Sequence, residues 1–246
     1  MSLADISIPG NFPIWATLTL GFVLGLRHAL DPDHVAAVST FVSEEKNLVR
    51  SSLVGIYWGM GHTAALLVFG FAIVTFRFVV NPRLSQFMEF VVGCMLIFLG
   101  IRVLLQVRKT EAVHVHTHSH DGTTHSHLHF HLGEGGHEHQ HRTLRFGKRP
   151  FIVGVVHGLA GTAAVLLVVV GAIPSLLLAF GTILIFGVGT IGGMMAMSVL
   201  MSVPIALAAG RWTLVERAIR VLAGSFSLGF GMFWAWQVGF LQAYFH

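Results

Sequence analysis

Residues 172–210 read AIPSLLLAFGTILIFGVGTIGGMMAMSVLMSVPIALAAG and contain no charged side chain. A helix on a water-soluble core needs a polar face, and about 20 apolar residues already cross the roughly 30 Å of hydrocarbon in a bilayer. This stretch therefore belongs in lipid, and the rest of the chain agrees. Of its 246 residues 54% are hydrophobic and 11% charged, against roughly 25% charged in an ordinary soluble domain. The mean hydropathy is +0.75, with 28 glycines and 20 phenylalanines, a composition that lets helices approach closely in a membrane. The formal charge of +4 is too modest to point to a nucleic-acid partner. One cysteine, Cys94, excludes a disulfide framework and a Cys-rich zinc site.

Six runs are long and apolar enough to cross: about 12–30, 51–76, 85–107, 150–171, 174–209 and 218–243. The fifth is long for one straight crossing, so a tilted or broken helix, or two short ones parted near Gly187, Gly189, Gly192 and Gly193, are the options. Loop charge favours six crossings. They gather Lys46, Arg50, Arg102, Arg108, Lys109, Arg142, Arg145, Lys148, Arg149, Arg211, Arg217 and Arg220 on one side and leave Arg77 and Arg83 on the other, twelve against two. Splitting the fifth run moves Arg211, Arg217 and Arg220 across and gives nine against five, a weaker positive-inside bias. The expected fold is an all-α polytopic membrane protein of six transmembrane helices in a bacterial inner membrane, with both termini outside. Met1 to Gly10 lack the basic residues of a cleavable signal peptide. Residues 1–107 form a first three-helix repeat, 108–149 a cytoplasmic His-rich loop, and 150–246 a second three-helix repeat. An odd number of crossings per half makes that repeat inverted, as in many transporters.

Where the first span ends the chain reads Arg27-His28-Ala29-Leu30-Asp31-Pro32-Asp33-His34. Ionisable groups at membrane depth are costly and face a cavity or one another. On an unbroken helix, His28 lies about 140° from Asp33 and about 120° from His34, so the three cannot converge. Pro32 disfavours helix at Asp31 and suits the first position of a new helix, with Asp31 as N-cap. A discontinuous helix near Pro32 lets His28, Asp33 and His34 share one centre. Imidazole plus carboxylate suits Ni, Co, Zn or Cu rather than Mg or Ca.

His62, in Gly59-Met-Gly-His-Thr63, and His157, in Val156-His-Gly-Leu-Ala-Gly-Thr162, sit at compatible depths in their spans and complete the candidate metal ligands. Each could instead donate a hydrogen bond between helices. Thr63 and Thr162 are possible oxygen donors along a path; Asp31 is a supporting group. Arg27 is a counter-ion for Asp31 or Asp33, or reaches the headgroups. Met194, Met195, Met197 and Met201 read as gap fillers rather than a copper path. The loop carries His114, His116, His118, His120, His125, His127, His129, His131, His137, His139 and His141. Such tracts bind transition metals without needing a fold, and binding weakens below about pH 6 as imidazole protonates.

His28-Ala-Leu-Asp-Pro-Asp-His34 resembles the His-x4-Asp-His signature of the nickel/cobalt transporter superfamily, and Gly61-His62-Thr63 looks like the Gly-His-Ser/Thr element of its next helix. The chain is most similar to the shorter, UreH-like branch, since His157-Gly-Leu-Ala-Gly-Thr162 and Gly192-Gly-Met-Met195 stand where larger permeases carry carboxylates. The resemblance implies a secondary permease, not an enzyme, with His28, Asp33 and His34 as selectivity residues. Ni²⁺ or Co²⁺ is its transported substrate, and it needs no prosthetic group. Uptake into the cytoplasm for nickel-enzyme maturation, with a cytoplasmic metallochaperone as partner, is the leading function. Efflux is the first alternative. An intramembrane zinc hydrolase on His28, His62 and His157 is the second, and a metal store built on the loop the third.

Overall fold

The computed structural model describes residues 14–45, 47–76, 81–110, 116–120, 123–127, 142–160, 173, 175–208 and 212–241. Its helices are α1 (Ile14–His28), α2 (Pro32–Val42), α3 (Leu48–Phe76), α4 (Pro82–Thr110), α5 (Arg142–Gly158), α6 (Leu176–Ala208) and α7 (Thr213–Trp236), the last running into a π-helical turn, Gln237–Leu241. Four helical stretches have the length and composition to cross a bilayer: Leu48–Ala72, Pro82–Arg108, Leu177–Ala208 and Thr213–Gly239. Their outward faces carry large apolar side chains such as Val68, Leu177, Leu200 and Leu222. The chain is an integral membrane protein.

The charge-free stretch forms one helix. α6 stays helical through Gly187, Gly189, Gly192 and Gly193, so the option of two short helices is not what forms; its 33 residues extend about 50 Å and exceed the hydrocarbon thickness unless tilted. Met194 is fully buried in the main core beside Trp58, Val92 and Leu96.

α1 and α2 are separate helices. Tight turns close the junction, Leu30 N–H donating to Arg27 O and Asp31 N–H to His28 O. Asp31 then takes an extended conformation (φ −60°, ψ 142°) and Pro32 opens α2. Asp31 occupies the N-cap position without a side-chain cap bond, contrary to the expected capping role; its carboxylate is engaged by His28 instead.

Apart from the helices, the His-rich segment carries one short hairpin. His116–His120 and Thr123–His127 form strands β1 and β2, paired antiparallel with His116 opposite His127 and His118 opposite His125.

Glycines set the helix crossings, and they do so in matched pairs. A Cβ on Gly25 of α1 would strike Phe186 O of α6, while one on Gly189 of α6 would strike Phe22 O and crowd Leu26 N of α1. Between α3 and α5, Gly154 stands in the same way against Trp58 O, and Gly61 against Phe151 O and Val155 N. α4 and α7 repeat the pattern on themselves: Gly100 meets Gly224 O and Leu228 N, Gly231 meets Gly93 O and Ile97 N. α3 packs on α6, and α2 runs alongside α7.

Candidate metal centre

Three local features bring the ionisable side chains together. α1 stops at His28, α2 starts with Pro32-Asp33-His34, and α5 stops one residue past His157. His62 lies midway along α3, between Gly61, which admits the backbone of α5, and Thr63. Two helix C-termini, those of α1 and α5, and the opposed N-terminus of α2 thus meet at one spot, and with roughly half a charge at each end the sum is about half a negative charge. That field favours a cation.

His34, His62 and His157 have no solvent exposure, and His28 and Asp33 are buried. The ring of His34 lies 4.1 Å from that of His157, 4.6 Å from His28 and 5.2 Å from His62. His157 Nε2 donates to Asp33 Oδ2 at 2.9 Å, and His34 Nδ1 donates to Asp33 Oδ1 at 3.1 Å. His28 Nδ1 donates to Asp31 Oδ2 at 2.8 Å, while its Nε2 stands 3.1 Å from His62 Nε2.

Proton bookkeeping follows from the carboxylates, which only accept. With neutral rings, His28, His34 and His157 each spend their N–H on an aspartate, and His28 Nε2 must accept from His62. That leaves lone pairs on His34 Nε2, His62 Nδ1 and His157 Nδ1, three buried nitrogens without a protein donor. Each costs about 1–3 kcal/mol while unsatisfied, so the pocket is built for an electrophile.

Two sets of ligand atoms lie within 4.8 Å of one another, His28/His34/His62 and Asp33/His34/His157, and both use His34. Nitrogens about 2.0–2.1 Å from one ion at angles between square-planar and tetrahedral lie about 2.9–3.4 Å apart, and the His28–His62 spacing of 3.1 Å falls inside that range. The Asp31–His28 contact has the form of a carboxylate orienting a ligating imidazole. Apolar walls close the site: Phe186 faces His28 at 5.4 Å, and Trp58 stands over His34 at 6.3 Å and His157 at 5.9 Å.

The structure thus gathers His28, Asp33, His34, His62 and His157, with Asp31 beside them. Thr63 is buried, but its hydroxyl donates to Gly187 O across α3 and α6 rather than to the cluster. Arg27 is exposed, and the partners of Asp31 and Asp33 are histidines, which corrects its reading as their counter-ion. Thr162 lies outside the described residues, as do His114, His129, His131, His137, His139 and His141. His116, His118, His120, His125 and His127 lie in the hairpin strands. Sequence reasoning missed Trp58 and Phe186. Trp58 precedes His62 by four residues, one helical turn on the same face, which was a usable signal; Phe186 carried none.

The sequence profile described as high-affinity nickel-transport protein matches residues 14–243. The urease accessory protein UreH of Bacillus sp. (strain TB-90) is 38% identical over 229 residues, 93% of this chain and 94% of its own. The high-affinity nickel-transport protein NixA of Helicobacter pylori (strain ATCC 700392 / 26695) is 26% identical over 69 residues, 28% of this chain and 21% of its own. The chloroplast protein FOR GROWTH AND FERTILITY 1 of Arabidopsis thaliana is 26% identical over 173 residues, 70% of this chain and 45% of its own. No solved structure matches. The profile begins with α1 and ends just past the π-helical turn, so every helix that shapes the buried histidine pocket lies inside it, and the chain belongs to the high-affinity nickel-transport protein family.

Proposed function

We propose that the protein is a secondary permease that carries Ni²⁺, and Co²⁺ with it, into the cytoplasm through the centre formed by His28, Asp33, His34, His62 and His157. The carrying observation is the pair of buried ligand sets that share His34 at the α1–α2 junction. Imidazole and carboxylate replace water around the ion, and the aspartates offset its charge in a region where a bare dication could not stay. UreH is named a urease accessory protein, which supports delivery to nickel-enzyme maturation and a cytoplasmic acceptor such as a metallochaperone. The family is one of transporters and not of enzymes, which removes the zinc hydrolase alternative.

The reading carries its architecture with it: six crossings, the first discontinuous near Pro32, in two inverted repeats (1–107 and 150–246) in the inner membrane, termini outside and residues 108–149 in the cytoplasm. Support comes from the matched glycine contacts, in which α1 meets α6 as α5 meets α3 and α4 meets α7 reciprocally. The charge distribution supports the orientation. The loop histidines and Thr162 are accessory.

Whole-cell accumulation of radioactive nickel and cobalt tests it, comparing the protein with His28→Ala and Asp33→Ala. Accumulation that rises with the protein and falls well below that level in both variants is the expected result. Accumulation lowered by the protein selects efflux. No change in either direction would sink the permease.

A further inference from the structure

α2 links the metal centre to the cytoplasmic rim along one face that carries a carboxylate at each end. Asp33, Ala37, Thr40 and Glu44 are spaced four, three and four residues apart, which places them within about 60° of arc at 100° per residue. α2 closes at Val42 with Ser43 still in right-handed helical geometry, and Glu44 N–H donates to Phe41 O, so the face continues to Glu44. Ala37 and Thr40 are buried, and the Thr40 hydroxyl lies against Ala37 O at 2.7 Å on the same face. Eleven residues at 1.5 Å carry Glu44 about 16 Å from Asp33, which is half of a roughly 30 Å hydrocarbon layer.

At the far end Glu44 Oε2 accepts from Arg102 of α4 at 2.9 Å, with both side chains 26% exposed. The other oxygen, Oε1, is buried without a partner. Burial raises the Glu44 carboxyl above the usual carboxylate range, against the pull of Arg102, Arg220 and Arg149. The result is a half-satisfied carboxylate, screened by a guanidinium, at the end of a helix face that starts on a candidate metal ligand.

We propose that Glu44 is the cytoplasmic-mouth ligand of the transported cation, and that Arg102 is its resident counter-ion, which an arriving divalent ion displaces. The inference rests on the permease reading. A dication at Arg102's distance from the carboxylate doubles the Coulomb attraction, and Oε1 is free to take the second contact. The exchange opens the mouth only when an ion is present.

The test is radioactive nickel flux in proteoliposomes, with nickel binding by the purified protein measured alongside. Glu44→Gln is expected to lower flux about tenfold while leaving the binding constant of the histidine centre at its wild-type value. The double variant Glu44→Gln/Arg102→Gln, which leaves no unpaired charge to harm folding, is expected to lose as much. Arg102→Gln alone is expected to keep at least half the flux. Equal losses in Glu44→Gln and Arg102→Gln with flux restored in the double variant would make the pair a structural clasp and overturn the proposal. Wild-type flux in Glu44→Gln would overturn it as well. A wild-type protein without nickel flux would instead remove the permease reading, and this inference with it.

Discussion

The ends of α1 and α5 share a backbone and differ in chemistry. Both carry a glycine three residues before the histidine, Gly25 before His28 and Gly154 before His157, each pressed on the backbone of its partner helix. Both close with the same turn, Asp31 N–H to His28 O at 3.1 Å and Ala160 N–H to His157 O at 3.1 Å. Beyond it the first reads Asp31-Pro-Asp-His34 and the second Ala160-Gly-Thr-Ala163. The partner helices differ likewise. Where the α5–α3 crossing presents His62, one residue after Gly61, the α1–α6 crossing presents Thr190, one residue after Gly189, whose hydroxyl only back-bonds to Phe186 O. The matching crossing carries no second cluster among the described residues. The first half supplies four of the five candidate ligands, and the second contributes His157 and a matching crossing.

His34 is where the two halves meet, because both ligand sets need it. His34→Ala is expected to abolish nickel accumulation in cells, a larger loss than removing His62 or His157, each of which leaves one set of three intact. Equal losses in all three variants would mean one indivisible five-ligand site rather than two sets joined at His34.

Asp31 has no counterpart in the second half, where Ala160 stands. Asp31→Asn keeps the size of the side chain but weakens its hold on His28 Nδ1, and partners of this kind typically account for about 10–100-fold in metal affinity or activity. Nickel binding by the purified protein should weaken by about that factor, whereas Ala160→Asp should gain nothing. An unchanged constant in Asp31→Asn would make the 2.8 Å contact incidental.

How much of this was legible in the sequence depends on range. The lipid-facing helices follow from composition, and the start of α2 follows from Pro32, whose ring disfavours a helical conformation at the preceding residue. His28, Asp33 and His34 were conspicuous because ionisable groups in an apolar run need partners. Which partners they take was not legible: His157 reaches Asp33 across 124 residues, and no local pattern encodes that. Thr63 shows the converse, since its position next to His62 suggested a donor while packing turns its hydroxyl to Gly187. The continuity of α6 also lay beyond the sequence, because four glycines in seven residues weaken a helix locally and only the backbone of α1 and the Thr63 side chain of α3, packed against them, favour keeping it helical.

A milder probe separates scaffold from site. Gly61→Ala and Gly189→Ala insert a methyl at equivalent crossings, each against a carbonyl of the facing helix. Each should destabilise the protein by about 1–3 kcal/mol through overpacking, read as matched drops in thermal midpoint in detergent. Nickel binding should fall more in Gly61→Ala, which displaces the neighbouring His62, than in Gly189→Ala, which displaces Thr190. Unequal midpoints would show that the two crossings are not mechanically equivalent.

The smallest effect is expected from the feature that dominates the composition. Eleven of the sixteen histidines lie between His114 and His141, yet the five buried candidate ligands come from α1, α2, α3 and α5. The hairpin pairs its strands with each other. Exchanging residues 112–141 for a Gly/Ser linker of equal length should therefore leave nickel flux within about twofold of wild type, since tethered imidazoles change the local supply of ion and not the barrier at the buried centre. The same exchange should remove the nickel bound by the purified protein that is lost as pH falls through about 6, where unperturbed imidazole takes up its proton. Flux that collapses with the loop would move the rate-determining encounter from the buried histidines to the hairpin and reverse the ranking of the two histidine populations.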